Sequence, residues 1–264
     1  MIKNITSLDN KIIKELVKIR DDSKYRHENK ICFLEGERLI FDTDINLIEN
    51  IFISADYKNL LDDYIDKNIY ILDNKVFNKI KNTSNSQGII ATAKFNSIEN
   101  IYDILTNRFI LILDDIRDPG NLGTIIRTAE ASGVETIIIS HTSCDIYMDK
   151  VIRSSMSSIF RVNHYISKNL IDDINYLKNA KFDIIGTKAD SDIDYYNINI
   201  DNKKIAIVIG NEANGISENI LNLCNYNIKI DMDGKIESLN AAIATSVICF
   251  EMRKKIKNEK ICNS

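Results

Sequence analysis

The sequence lacks the patterns that identify several common classes of protein. Its 264 residues contain no apolar run approaching the ~18 to 20 residues that a transmembrane helix needs, and the first residues, MIKNITSLDNK, lack the apolar stretch of a signal peptide. GxGxxG, GxxxxGKS/T and GxSxG motifs are absent as well. We therefore expect a cytoplasmic globular protein, and dinucleotide, nucleoside triphosphate and acyl-serine chemistry lose support.

Cysteine and histidine are too few and too scattered to indicate a metal centre or a disulfide framework. Five cysteines occur without a CxxC pair, and three histidines occur without an HExxH motif. We expect reduced, mostly buried thiols and no metal. These residues are Cys32, Cys144, Cys224, Cys249 and Cys262, and His27, His141 and His164.

The net charge of −4 argues against a protein that binds nucleic acid over its whole surface, but it does not exclude local basic patches. Residues 1–30 hold eight basic and five acidic side chains. Residues 150–168 hold four basic side chains and no acidic one, namely Lys150, Arg153, Arg161 and Lys168. A nucleic-acid-binding surface and an ordinary solvated helix face both account for these charges.

The first ~95 residues have the pattern of a small α/β module. Apolar residues recur at helical spacing over residues 10–20, and residues 33–43 can form a second helix. The segments IENIFIS, NIYIL and GIIATAKF favour strands. A polar stretch at residues 96–107 is the best boundary, so we expect domains at residues 1–96 and 97–264.

Beyond Arg108, apolar strands alternate with amphipathic helices. The strand candidates are FILILDDI, ETIIIS, KFDIIGT, KKIAIVIG and YNIKIDM. This alternation predicts an α/β fold with a mostly parallel sheet covered on both faces. Ligands of such sheets bind at the carboxyl ends of the strands, so the loops that follow the strands are the candidate sites.

The first candidate loop is DDIRDPGNLGTIIRTAEASG, residues 114–133. Pro119 and Gly120 make a turn before a helix that we expect from Leu122, and Asn121 lies where an N-cap belongs. Arg127 follows on that helix. Asn121 can be only a cap and Arg127 only a surface cation, or the two can receive a phosphate or a developing oxyanion.

The second candidate loop is VIGNEANGIS, residues 208–217. It leaves a buried strand through Gly210 and returns through Gly215 into a helix that Ser217 can cap. A plain turn between a strand and a helix needs the glycines but does not need a carboxylate at Glu212. A functional role for Glu212 is therefore favoured over a purely structural one.

The third candidate loop is IKIDMDGKIESLNAAIATSVICFEM, in which Ser238, Leu239 and Asn240 open a helix of small residues after a turn at Gly234. The small side chains can serve tight helix packing alone. The hydroxyl of Ser238 and the amide of Asn240 can instead bind a polar ligand at the start of the helix.

In this order and spacing, the three loops resemble the three motifs of the SpoU (TrmH-like) branch of the SPOUT methyltransferases. The segments NLGTIIRTAEASG, IGNEANGIS and IKIDMDGKIESLNAAIATS carry the resemblance, within residues 108–255. Residues 1–95 resemble, more weakly, the L30e-like substrate-binding domain that often precedes them. The resemblance implies a deep trefoil knot, threaded by the third-motif helix, and a homodimer with active sites completed by both subunits.

The resemblance also implies site residues. The catalytic positions of the three motifs correspond to Asn121, Arg127, Glu212, Ser238 and Asn240. The positions that hold S-adenosylmethionine correspond to Gly210, Ile230 and Leu239, with Thr187 as a weaker fourth candidate. The sequence departs from the family pattern at Ser157, Asp231, Ala241 and Ala242, which leaves every catalytic group in place.

The function implied by the resemblance is methyl transfer from S-adenosylmethionine to a ribose 2′-hydroxyl of RNA. Ribosomal RNA is favoured because the two-domain layout is similar to that of rRNA enzymes. The alternatives are a tRNA ribose 2′-O-methyltransferase and a non-catalytic RNA-binding SPOUT protein. Because an arginine side chain stays protonated at pH 7, we expect Arg127 to stabilise charge rather than to act as a base.

Overall fold

The computed structural model describes residues 2–59, 61–200, 204–236 and 238–262, and it divides into two compact units. The first unit contains residues 1–96 and 145–160, and the second contains residues 97–144 and 161–264. Residues 145–160 therefore lie with the first unit, whereas the sequence assigned them to the second domain. Among the described residues, no helix is long and apolar enough to cross a membrane.

The first unit is a five-stranded mixed sheet with helices. In the order β1-β4-β3-β5-β2, the first three strands run parallel, and β5 runs antiparallel to both β3 and β2. Its first 96 residues form β1 (Ile2–Ile5), α1 (Lys11–Asp21), α2 (Ser23–Asn29), β2 (Ile31–Glu35), α3 (Glu37–Asp42), β3 (Ile48–Ser54), β4 (Asn68–Leu72), α4 (Asn74–Ile80) and β5 (Ile89–Lys94).

The second helix expected at residues 33–43 is wrong in its first part. Residues 31–35 form strand β2, and only Glu37–Asp42 is helical. Gly36 separates the two elements with φ +108°, a conformation that residues other than glycine rarely adopt. The consecutive apolar residues before Gly36 are buried in the sheet, and tertiary burial of this kind overrides a weak helical pattern.

An ion pair ties residues 145–160 to helix α2. The guanidinium of Arg26 donates to Asp145 Oδ2 at 2.5 Å and also to the carbonyls of Ile19 and Arg20. His27 Nε2 lies 2.9 Å from the other carboxylate oxygen. The segment then continues through α6 (Asp149–Ser155), which packs against β2, to the start of α7 (Ser158–Arg161).

Burial raises the pKa of the Asp145 carboxyl, but the hydrogen bonds from His27 and Arg26 outweigh this effect and hold the pKa well below its usual range. The contribution of the Asp145 carboxylate to the free energy of unfolding is therefore fully present at pH values above the pKa of an unfolded aspartate. It is lost only as the pH falls through the lower pKa of the folded state.

The second unit is a seven-stranded sheet in which every described strand pair is parallel, in the order β10-β12-β9-β11-β6-β7-β8. The predicted mostly parallel sheet is confirmed. The elements are β6 (Phe109–Leu113), α5 (Pro119–Ser132), β7 (Thr136–Ser140), β8 (Asn163–Ser167), α8 (Leu170–Asn179), β9 (Asp183–Thr187), β10 (Ile193–Asp194), β11 (Ile205–Ile209), α9 (Glu218–Leu221), β12 (Tyr226–Lys229) and α10 (Ala241–Cys262).

Helix α10 packs along α5. The hydroxyl groups of Thr128 and Ser246 lie 2.9 Å apart, and Arg253 donates to the carbonyl of Ala131. The small and apolar residues on the packed face of α10 are buried, as the small-residue pattern of the third motif allows; they are Ala241, Ala242, Thr245, Ile248, Cys249 and Met252. The deep trefoil knot stays a prediction.

The basic stretch 150–168 is partly neutralised by acids outside it or at its edge. Arg153 pairs with Asp149, and Arg161 pairs with Glu130 on α5. The stretch is therefore less basic in the folded protein than its sequence indicates. Of the cysteines, Cys32 and Cys249 are buried, Cys144 and Cys224 are half-buried, and none of these four forms a disulfide bond, whereas the side chain of Cys262 lies outside the described residues.

Replacing Arg26 with methionine should destabilise the first unit by about 3 kcal/mol at pH 7, because it leaves the buried Asp145 carboxylate without its cationic partner. Urea unfolding followed by circular dichroism measures the change. Lys24→Met on the same helix is the control, since Lys24 is exposed. Equal unfolding midpoints for the two variants would show that the pair is not a structural tie.

Candidate active site

The candidate loops lie at one edge of the second unit's sheet. Strands β12, β9, β11 and β6 are neighbours in that order and run parallel, so the loops that follow them leave from the same edge. This edge is where parallel sheets place their ligands. The sequence-predicted residues are distributed over these loops and over the starts of α5 and α10.

The loop after β6 leads into α5, whose N-cap is Asp118 rather than Asn121. The Asp118 carboxylate accepts the backbone N–H of Asn121 at 2.8 Å, and Pro119 occupies the first helical position. The prediction that Asn121 is the N-cap, with a helix from Leu122, is therefore wrong. A proline at the first turn has the backbone angle of the helix already, so the helix starts three residues earlier than expected.

The loop after β11 is closed on itself. Asn211 and Gly215 exchange two backbone hydrogen bonds of 3.0 and 2.9 Å, and Gly215 adopts φ +67°. A Cβ atom on Gly210 would overlap the backbone of Gly215 and Ile216, so only glycine fits at position 210. Glu212 is exposed at the tip of this loop.

Asn240 caps helix α10, which begins at Ala241. The Oδ1 atom of Asn240 accepts the backbone N–H groups of Ala242 at 2.9 Å and Ile243 at 3.3 Å. Ser238 and Leu239 precede the cap, so the prediction that they open the helix places its start too early. Asparagine is among the preferred residues at this position because its side chain satisfies these N–H groups.

The side chains of Asn240, Asn121 and Glu212 form one hydrogen-bonded chain. Asn240 Nδ2 donates to Asn121 Oδ1 at 2.9 Å, and Asn121 Nδ2 donates to Glu212 Oε1 at 2.7 Å. Each residue comes from a different one of the three candidate loops. The structure therefore brings together three of the five predicted catalytic residues.

The other two, Arg127 and Ser238, do not join this chain. Both side chains are exposed, and neither makes a hydrogen bond or ion pair with another described residue. Arg127 lies six residues beyond Asn121 on α5, which is about 9 Å along the helix axis. An exposed guanidinium without a partner keeps all its donors available for a bound anion.

The predicted cofactor-binding residues lie along the same edge. Thr187 ends β9, and its hydroxyl donates to the carbonyl of Val208 on β11 at 3.0 Å. Gly210 begins the closed loop, and Ile230 and Leu239 are half-buried apolar residues before and after the third loop. No group of three or more metal-ligating side chains occurs among the described residues.

Sequence reasoning missed two polar residues that shape this edge, Asp118 and Asn211. An aspartate directly before a proline at the first turn is a recognisable N-cap signal, so Asp118 could have been found. Asn211 carries no such signal for its link across the sheet edge, because the acceptor of its NH₂ group, Asp115, lies 96 residues away.

Comparison with known proteins identifies the family. Residues 108–250 match the SpoU rRNA Methylase family, and this range contains the three segments NLGTIIRTAEASG, IGNEANGIS and IKIDMDGKIESLNAAIATS. The chain belongs to the SpoU rRNA methylase family. The resemblance inferred from the three motifs is confirmed.

Three similar proteins extend this assignment. The chain of this SpoU methylase is 26% identical over 254 residues to the 23S rRNA (guanosine(2553)-2′-O)-methyltransferase RlmP of Bacillus subtilis (strain 168), covering 96% of this chain and 100% of that protein. It is 39% identical over 146 residues to a Staphylococcus aureus (strain COL) protein whose name places it in the TrmH family of tRNA/rRNA methyltransferases, covering 55% of this chain and 58% of that protein.

The third similar protein is a solved structure. The crystal structure of an AdoMet-bound rRNA methyltransferase from Sinorhizobium meliloti superposes with a TM-score of 0.83 at 27% identity, covering 96% of this chain and 98% of that one. The likeness extends over both units of this SpoU methylase and confirms the predicted fold class.

Replacing Gly210 with alanine should destabilise the second unit by more than Gly215→Ala does. A methyl group at position 210 overlaps the loop's own backbone, whereas one at Gly215 meets open space and adds only the ~1 to 2 kcal/mol of a left-handed conformation. Urea unfolding of both variants measures the difference. A Gly210→Ala protein as stable as Gly215→Ala would contradict the closed loop.

Proposed function

We propose that this chain transfers a methyl group from S-adenosylmethionine to a ribose 2′-hydroxyl of RNA, and that its substrate is ribosomal RNA. The observation that carries the proposal is the chain of hydrogen bonds from Asn240 through Asn121 to Glu212, in which three motifs of a SpoU methylase meet. Simple turns and helix caps do not need side chains that link three separate loops. Ligands of parallel sheets bind at the carboxyl ends of the strands, so a polar ligand site explains why these side chains meet there.

The cofactor has candidate binding residues beside this chain of hydrogen bonds. Thr187, Gly210 and Ile230 follow the adjacent strands β9, β11 and β12, and Leu239 precedes α10. The half-buried apolar side chains of Ile230 and Leu239 and the backbone at Gly210 suit an adenosine group, which needs flat apolar contact and a few hydrogen bonds. S-adenosylmethionine supplies an electrophilic methyl carbon on a positively charged sulfur.

The ribose hydroxyl must lose its proton as its oxygen bonds to the methyl carbon and the carbon–sulfur bond breaks. Glu212 is suited to accept that proton, because Asn121 holds one of its oxygens and the other makes no hydrogen bond with a described residue. An RNA phosphate next to the ribose is the second candidate acceptor.

Arg127 is suited to hold the RNA. Its planar guanidinium can bind a phosphate with two parallel hydrogen bonds and can stabilise the negative charge that develops on the ribose oxygen. The exposed hydroxyl of Ser238, two residues before Asn240, can donate to or accept from the same nucleotide. On this proposal, the hydrogen-bonded side chains of Asn240, Asn121 and Glu212 align the ribose 2′-hydroxyl, and Arg127 supplies the positive charge that stabilises its developing negative charge.

Ribosomal RNA is the proposed substrate for two reasons. The Bacillus subtilis relative, named for 23S rRNA, matches this chain over its own full length. The Sinorhizobium meliloti rRNA methyltransferase matches over both units. The first unit then selects the RNA, and an rRNA substrate would place the protein in the cytoplasm. Transfer RNA is tested as the alternative substrate.

A homodimer is the proposed assembly. Helix α10 carries an apolar stripe, defined as Ile243, Val247 and Phe250, on the face opposite its buried one. Ile243 and Phe250 are 54% and 47% exposed, and Val247 is half-buried. These residues recur at helical spacing, so they form one surface. Ala242, on the other face of the helix, is buried within the unit and does not belong to this stripe.

Replacing Arg127 with alanine should reduce methyl transfer to rRNA by ~100-fold or more, the scale of losing one preorganised charge partner. Arg127→Lys should recover only a small part of the lost activity, because lysine lacks the planar guanidinium that forms two parallel hydrogen bonds. The assay follows radiolabelled methyl groups from S-adenosylmethionine into purified rRNA and tRNA fractions and identifies the product as an alkali-resistant 2′-O-methylated nucleotide.

Calorimetry with S-adenosylmethionine is the control for that experiment, and the cofactor affinity of Arg127→Ala should stay unchanged. Near-normal single-turnover rates of Arg127→Ala with saturating RNA would make Arg127 a surface cation and refute its role. Methylation of tRNA but not rRNA by the wild-type protein would correct the substrate. No methylation of either, with intact cofactor binding, would refute the proposed function.

Replacing Ile243 with lysine should convert the dimer to a monomer, because a charge would lie within the apolar stripe of α10. Light scattering at several concentrations measures the mass. Ile171→Lys on α8 is the matched control, since Ile171 is also an exposed isoleucine of the second unit. A wild-type protein that is monomeric at every concentration would contradict the dimer.

A further inference from the structure

Asn211, the residue directly before Glu212, is buried although it lies in an exposed loop. It is 9% exposed, whereas residues 212–215 are all exposed. A buried amide loses its hydration, so each of its polar atoms needs a partner within the protein. The partners of Asn211 therefore show which contacts hold this loop in place.

Both ends of the Asn211 side chain are satisfied, and they face different segments. The Oδ1 atom accepts the backbone N–H groups of Ala213 at 2.9 Å and Asn214 at 3.2 Å, so it shapes its own loop. The Nδ2 atom donates to the backbone carbonyl of Asp115 at 2.8 Å and lies 3.3 Å from the Asp115 carboxylate. The amide thus links the loop after β11 to the loop after β6.

Asp115 is itself held firmly. Its φ of +59° lies in the left-handed region, its N–H donates to Ser140 Oγ at 2.9 Å, and its carboxylate pairs with Arg117 at 2.9 Å. The chain passes from Asp115 to the cap of α5 at Asp118 within three residues. The position of Asp115 therefore determines where α5 begins, and hence where Asn121 lies.

Among the described residues, three hydrogen-bonded links that involve side chains join the same pair of loops: Asn121 to Glu212, the backbone N–H of Ser217 to the Asp114 carboxylate, and Asn211 to Asp115. The link between Asn121 and Glu212 is exposed, so water competes for it and it contributes little to holding the loops together. The link between Ser217 and Asp114 is exposed as well. The link between Asn211 and Asp115 is part-buried, and breaking it would leave the NH₂ group of the buried Asn211 side chain without a partner. The link made by Asn211 is consequently the one that contributes most to the distance between the loops.

We propose that Asn211 is a positioning residue for methyl transfer: its buried amide clamps the Glu212 loop to the segment that carries Asn121. This inference rests on the proposed function. Asn211 acts through Glu212 and Asn121, so its loss should slow the reaction step more than it weakens RNA or cofactor binding.

The test is Asn211→Asp, which has nearly the same shape. Aspartate can still accept the N–H groups of Ala213 and Asn214, but it cannot donate to Asp115, and it places one carboxylate beside another. We expect kcat to fall ~10- to 100-fold, the scale that a shift of about 1 Å in a catalytic group produces. The KM for RNA and the Kd for S-adenosylmethionine should change less than threefold.

Asn214→Asp is the matched control, because it adds the same charge to the same loop. The Asn214 side chain is exposed and makes no hydrogen bond with a described residue. It should keep nearly wild-type kcat. Equal losses in Asn211→Asp and Asn214→Asp would show an effect of loop charge and overturn the proposal, as would an unchanged kcat in Asn211→Asp.

Restoring the donor separates positioning from general stability. In Asn211→Asp combined with Asp115→Asn, the new amide at 115 can donate to the new carboxylate at 211, and asparagine tolerates the left-handed backbone. We expect the kcat of this double variant to lie between those of Asn211→Asp and the wild-type protein. A pair no faster than Asn211→Asp, with both folded by circular dichroism, would overturn the clamp.

A readout independent of activity keeps the clamp distinguishable from the proposed function. The side-chain NH₂ resonances of Asn121, observed by NMR with asparagine-selective ¹⁵N labelling, report its bond to Glu212. They should shift in Asn211→Asp toward their positions in Glu212→Ala, which has no side-chain acceptor for Asn121, and they should stay in place in Asn214→Asp. An unshifted signal refutes the clamp, whereas a shifted signal in a protein without methyltransferase activity refutes only the function.

Discussion

The cap of helix α10 fixes the direction of the two hydrogen bonds that link Asn240, Asn121 and Glu212. Asn240 Oδ1 is committed to two backbone N–H groups, so only its NH₂ group can face Asn121. Asn121 must then accept from Asn240 and turn its own NH₂ group toward Glu212. Because backbone N–H groups can only donate, the helix start gives the whole chain of side chains one polarity, and Glu212 receives a donor at its end.

The parallel sheet supplies the geometry on which that chain of hydrogen bonds depends. Parallel strands present the same end to the same edge, and the register pairs Leu113 with Ile209 where β6 and β11 both end. The loops carrying Asn121 and Glu212 therefore start side by side, although the two residues are 91 positions apart. Asn211 and Asp115 then tie these loops together below the exposed groups.

The first unit shows how a short segment can change the domain organisation. Residues 145–160 belong to it through the buried pair of Arg26 and Asp145, supported by the stacked rings of Phe95 and Tyr147. The chain therefore crosses between the two units three times, after residues 96, 144 and 160. Deleting residues 1–96 would remove Arg26, the partner of Asp145, and leave residues 145–160 without the rest of their unit. The role of the first unit is therefore better tested by substitutions than by deletion.

The sequence by itself determined the family, the parallel sheet and the three loops that meet at the candidate site. Strands such as Ile48–Ser54 and Asn68–Leu72 were readable because their apolar patterns are local, and the motifs were readable because Asn121, Glu212 and Asn240 occur at characteristic spacing. Tertiary structure decided the rest. It placed β2 where a helix was expected, moved the cap of α5 to Asp118, and paired Asn211 with Asp115. These outcomes depend on which groups become buried together and must satisfy one another's hydrogen bonds, and a pattern within one segment carries no record of its distant partner.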